Sequence, residues 1–167
     1  RLPATVVALG LVSLLTDLSS EMIYPLLPLF LVQTLAAGAV ALGVIEGAAE
    51  TAASLLKVGS GWLSDRAGRR KPLVVAGYGV SGLARPLIGL ARAWPAVAAL
   101  RVVDRVGKGL RTSPRDALIA DVTPPERHGA AFGLQRAMDH AGAVLGPLAA
   151  AGDQFLHQPG AEAPGNR

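Results

Sequence analysis

Long runs of Ala, Leu, Val and Gly alternate with short charged joints along the 167 residues. A helix needs about 20 residues, at 1.5 Å each, to cross the ~30 Å hydrocarbon layer of a membrane. Five runs meet that length: 4–32, 40–63, 72–91, 94–110 and 129–151. The third, PLVVAGYGVSGLARPLIGLA, holds one charged residue, Arg85. It has no polar face to turn toward water, which argues against a soluble helical bundle. The pattern predicts an all-α fold, a polytopic membrane bundle of about five transmembrane helices over residues 1–151. The polar, Gly- and Pro-containing stretch 152–167 reads as a disordered tail. The opening Arg1 and that abrupt polar ending read as a fragment.

The joints set an orientation. The joint after the second run carries Arg66, Arg69, Arg70 and Lys71; that before the fifth carries Arg111, Arg115 and Arg127, with Lys108 at its edge. The first joint has no Lys or Arg, and the third only Arg92. Positive residues stay on the cytoplasmic side, so these two joints and the amino terminus are expected there, in a multi-pass protein of the plasma or inner membrane. "DALIA", residues 116–120, is expected to form a short surface helix before the break at Pro124 and Pro125. The first run is not a signal peptide, being too long and holding Asp17 and Glu21.

Composition agrees. Residues are 51% hydrophobic and 17% charged, against about 25% charged in soluble domains. The 20 glycines and 12 prolines suit membrane helices, where both are frequent. With no cysteine, disulfides and Cys-ligated metals are impossible. No His, Asp or Glu spacing suggests another metal site. The net charge of +4 lies in the joints, as topology signals and not as a nucleic-acid surface. "GKG" at 107–109 is no phosphate loop, because no Ser or Thr follows Lys108. Neither cofactor nor enzyme activity is expected.

Charges inside the runs are the candidate chemistry, because each costs roughly 2.5–3.5 kcal/mol to insert at mid-membrane. Asp17 and Glu21 lie one turn apart and are expected to face the bundle interior. Glu46 and Glu50 repeat that spacing, with Lys57 two turns beyond Glu50 on the same side. Arg85 is central in the third run, and Arg136, Asp139 and His140 lie in the fifth. Burial disfavours a charged carboxylate, so Asp17, Glu21 and Asp139 are the leading candidates for a proton or substrate pathway. Internal pairing, such as Glu50 with Lys57 or Arg136 with a carboxylate of the first run, is the alternative. His128, near a joint, reads as a surface residue.

The stretch GWLSDRAGRRK, 61–71, resembles the signature loop of the major facilitator superfamily, G-x-x-x-D-[RK]-x-G-[RK]-[RK]. Gly61, Asp65, Arg66, Gly68, Arg69 and Arg70 fill every position, and Lys71 adds a further cation. The loop lies between the second and third helices, as in that family. Physically, Gly61 permits close helix approach, Asp65 can pair with Arg or cap a helix, Gly68 permits the positive φ of a tight turn, and the cations sit at the anionic inner leaflet. The resemblance implies a conformational latch between transporter halves, carried by Asp65 and Arg66. A bare topology anchor is the alternative. "GAVLGP", Gly142 to Pro147, resembles the fifth-helix motif of the family's antiporters. Gly142 and Gly146 share a face suited to close packing, and Pro147 bends the helix. Where that pattern continues x-x-G-G, this chain has Leu148, Ala149, Ala150 and Ala151. Arg105 to Gly109 fits the family's R-x-x-x-G, with Arg101 a second candidate, and residues 104–117 resemble one bacterial branch.

The resemblance implies five helices of a twelve-helix transporter working by alternating access, with proton-coupled efflux of small molecules. The implied partners are the lipid bilayer, a proton, an undefined small-molecule substrate and the missing carboxy-terminal half. The chain is not expected to transport alone. A structural or regulatory five-helix membrane protein is the alternative.

Overall fold

The computed structural model describes residues 1–34 and 39–156. Five long helices carry the chain: α1 Ala4–Leu29, α2 Ala39–Ala67, α3 Arg70–Leu90, α4 Trp94–Val122 and α5 His128–Leu156. No strand occurs among the described residues. Pro25 and Pro28 lie in the last turns of α1. Each removes a backbone donor, and the helix runs on into a wider π turn, Phe30–Thr34. α2 stops at Gly68, whose φ of 60° only glycine adopts at no cost and whose N–H donates to the Ser64 carbonyl at 3.0 Å. Pro95 sits at the start of α4, where its missing N–H is no loss. Pro124 and Pro125 follow its end and lead through a 3-10 turn, Pro125–Arg127, into α5.

Two expected helix ends move by five residues or more. α4 does not stop at Leu110. It continues through a fully buried Pro114 to Val122 and absorbs "DALIA", so no separate surface helix exists. A proline costs a helix one donor and some strain; here the helix is held before it by the buried side chain of Arg111 and beyond it by those of Arg115 and Ile119. α5 runs to Leu156, five residues past the expected end. Of the expected tail, residues 157–167 lie outside the described residues, as do 35–38 in the first joint.

α4 packs along both α2 and α3, while α1 packs along α5. Glycines allow these approaches. A Cβ on Gly107 of α4 would lie 2.7 Å from the Gly77 carbonyl oxygen of α3, and one on Gly109 would meet the Ala53 carbonyl of α2. Gly142 and Gly146 of α5 abut the carbonyls of Leu14 and Leu18, where a Cβ would sit 2.7 and 2.8 Å away. Two small apolar clusters close the ends of the bundle. Leu27, Leu31, Ile45, Ile88 and Val97 form one, and Val6, Ile119 and Ala131 the other. The layer between them is polar. Large apolar side chains point outward instead, Leu55, Val58, Leu83 and Leu90 among them, as a lipid-solvated surface requires. Two helical stretches, 4–33 and 70–90, are long and apolar enough to cross a membrane by length and composition alone. α2, α4 and α5, at 29 residues each, are long enough but carry more charge.

Candidate functional site

Two charged clusters occupy the polar layer, both built on α4. The first is sealed. Arg101, wholly buried, holds Glu46 of α2 through Nε at 2.8 Å and Nη2 at 3.4 Å. Its Nη1 reaches Asp104 Oδ2 at 3.5 Å. Asp104 Oδ1 accepts from Arg85 Nε of α3 at 3.0 Å, and Arg85 Nη1 donates to the Thr16 carbonyl of α1 at 2.5 Å. Arg105 approaches Glu46 at 3.9 Å. The chain Glu46–Arg101–Asp104–Arg85, continued to the Thr16 carbonyl, therefore stitches four helices together.

The second cluster lines an open cavity of about 380 Å³ between α1, α2, α4 and α5. α4 lines it with Lys108, Arg111, Thr112 and Arg115, spaced to fall on one helical face. α1 contributes Asp17 and Glu21, and α2 contributes Glu50, Ser54 and Lys57. α5 contributes Arg136, Asp139, His140 and Ala143. Arg111 stacks over the Tyr78 ring at 4.5 Å, donates to Ser81 Oγ at 3.1 Å and reaches Asp17 at 3.5 Å. Arg115 grips both oxygens of Asp139 at 3.3 Å and donates to Ser13 Oγ at 2.7 Å. Gln135 donates to Asp139 at 2.9 Å.

The structure divides the residues singled out by sequence. Asp17, Glu21, Glu50, Arg136 and Asp139 come together around the cavity. Glu46, Arg85 and Arg105 do not; they belong to the sealed cluster. The two pairings weighed earlier are replaced. Among the described residues Glu50 and Lys57 line the cavity without an ion pair. Arg136 meets Asp116 at 3.4 Å and Asp139 at 3.9 Å, not a carboxylate of α1. Arg111 and Arg115, read as joint residues, are almost wholly buried, because α4 carries them back into the bundle. Asp104, Lys108, Arg111 and Arg115 were missed as site residues. Their signal was the recurrence of charge at three- and four-residue steps from Arg101 to Arg115, a continuous helical face. His128, expected on the surface, is half-buried, with Nε2 2.9 Å from the Thr123 carbonyl at the end of α4.

In the α2–α3 turn, Arg70 is the bridging residue. It pairs with Asp65 at 3.6 Å and with Asp121 of α4, and donates to the Ala117 carbonyl at 2.7 Å. Arg66 lies 5.4 Å from the centre of the Trp62 ring, while Arg69 and Lys71 are exposed. Gly61 approaches Ser113 of α4. Pro147 lies within α5, one residue beyond the Gly142 and Gly146 contact with α1.

Sequence comparisons agree with this geometry. The chain is 41% identical over 146 residues to an uncharacterized MFS-type transporter of Methanocaldococcus jannaschii, covering 87% of this chain and 36% of that protein. It is 35% identical over 151 residues to an uncharacterized protein of Mycobacterium tuberculosis, covering 88% and 36%. It is 30% identical over 136 residues to the multidrug resistance protein MdtH of Photorhabdus laumondii, covering 81% and 34%. The chain thus spans about a third of the length of these relatives. A profile of the Major Facilitator Superfamily matches residues 9–156, which is nearly all of the described bundle, and the chain belongs to that superfamily.

Proposed function

We propose that this bundle is most of the amino-terminal half of a secondary transporter that exports small molecules by alternating access, driven by a proton gradient. The observation that carries the reading is the cavity: nine charged side chains from four helices converge on it, within a bundle whose outer surface is apolar. Intramembrane charge is expensive, and facing a water-filled path is a principal reason to retain it. Family membership and the name of MdtH, a multidrug resistance protein, support transport and its outward direction. A second helical bundle closes the cavity, since substrate sites in such transporters lie between repeats near the bilayer midplane.

Orientation rests on the cations that remain exposed, Arg66, Arg69, Lys71 and Arg127, which hold their ends and the amino terminus in the cytoplasm. Asp65, Arg70 and Asp121 latch the α2–α3 turn to the end of α4, and Asp17 and Glu21 carry the proton. The test is proton-driven flux in vesicles by the protein expressed from the complete reading frame that contains these residues. Asp17→Asn with Glu21→Gln is expected to abolish flux driven by a pH gradient. Unchanged flux in that variant would remove these carboxylates from the mechanism.

A further inference from the structure

We propose that the cavity binds a small hydrophilic zwitterion, carrying one carboxylate or phosphate and one ammonium group, in preference to a lipophilic cation. This rests on the transporter reading and assigns its substrate class. Among the described residues no Phe, Tyr or Trp lines the cavity. A lipophilic cation is held by aromatic faces and large apolar walls; the apolar part of this lining is small, Ala53 and Ala143, between charged side chains.

The charges are arranged by helix. Those that α4 presents are all positive, Lys108, Arg111 and Arg115; those that α1 presents are both negative, Asp17 and Glu21. Arg111 and Arg115 are already committed, to Asp17 and Asp139. Of the charges on α1 and α4, Lys108 and Glu21 are left; Glu50 and Lys57 of α2 are also without an ion pair among the described residues, but they are exposed. Lys108 and Glu21 are both half-buried and line the same cavity, yet among the described residues neither forms an ion pair. Half-buried charges without partners forgo part of their hydration and gain no pairing in exchange. A ligand of one sign would satisfy one of them and leave the other with a like charge nearby. A zwitterion satisfies both, its anionic group on Lys108 and its ammonium on Glu21, with the Ser54 and Thr112 hydroxyls at hand for neutral polar atoms.

The test is equilibrium binding of radiolabelled glycylglycine, succinate and tetraphenylphosphonium to the protein expressed from the complete reading frame, held in lipid nanodiscs. Glycylglycine is expected to bind saturably, and Lys108→Gln and Glu21→Gln each to weaken it by roughly tenfold or more, the cost of a lost charge-assisted hydrogen bond. The exchange Lys108→Glu with Glu21→Lys keeps the charge balance and is expected to recover part of the loss, since the ligand can reverse; a purely structural role for the pair would not move with the ligand. Binding of succinate or tetraphenylphosphonium but not glycylglycine overturns the proposal, as does binding of none of the three or indifference to both single variants. Proton-driven flux of tetraphenylphosphonium without glycylglycine binding sinks the zwitterion and leaves the transporter standing; absence of proton-driven flux of any probe removes both.

Discussion

The two charged clusters lie on the same helix, α4, and differ in what their charges have left over. In the sealed cluster, Asp104 and Glu46 have every carboxylate oxygen within reach of an arginine. In the cavity, Lys108, Glu21, Glu50 and Lys57 stand among committed pairs without an ion pair of their own among the described residues. A network whose carboxylates are all engaged resists change and holds helices in register, even with the buried Arg105 Nε left without a partner. An unsaturated one can accept a ligand or a proton. Intramembrane charge alone therefore does not mark a working site. The remainder after pairing does.

The largest effect that sharpens this contrast is expected at Asp104. Asp104→Ala strips Arg85 and Arg101 of a shared partner while both stay buried. Removing one member of a buried pair costs about 3–5 kcal/mol, read as a fall in the unfolding free energy in detergent. A loss below about 1 kcal/mol would mean the cluster is hydrated and not sealed. Next is Gly107→Val, which places carbon 2.7 Å from the Gly77 carbonyl and forces α3 from α4; overpacking of this kind costs about 1–3 kcal/mol. Gly133→Ala, where nothing lies within 4 Å of an added Cβ, is the control and should be neutral or slightly stabilising.

Smaller stability effects are expected in the turn and the cavity. Asp65→Ala removes one exposed partner of Arg70 and should cost less than about 1 kcal/mol. Arg70→Ala should cost more, because it also loses Asp121 and the Ala117 carbonyl. Glu21→Gln and Lys108→Gln, having no ion pair to break, should shift stability by under about 0.5 kcal/mol. If either unfolds the protein as readily as Asp104→Ala does, the division between scaffold and working site fails.

What could be read from the sequence follows from this division. α1 and α3 were legible because apolar runs predict them without ambiguity. The face that α5 presents to α1 was visible in the spacing of Gly142 and Gly146, since small residues four apart carry their own geometric meaning. α4 was half legible. From Arg101 to Asp116 its density of charge imitates a polar joint, and Pro114 imitates a break. Only the partners, spread over α1, α2, α3 and α5, make that segment a buried helix, and partners distant in sequence leave no local trace. Asp17, Glu21 and Asp139 stood out as charges in oily runs; Arg111 and Arg115, which hold two of them, were hidden in the apparent joint. Arg66 was expected to act with Asp65, yet Arg70 spans the gap to α4, because α3 begins at that residue and points its side chain across the turn.

The most direct test uses the absence of native cysteine. Ala143→Cys on the cavity wall and Ala84→Cys beside the sealed cluster are compared for their rate of reaction with a charged, water-soluble methanethiosulfonate in native membranes. Ala143 is exposed to the cavity and Ala84 is 2% exposed. The account predicts rapid modification at 143, slowed by bound zwitterion, and almost none at 84. Equal rates at the two positions, or an unreactive thiol at 143, would contradict it.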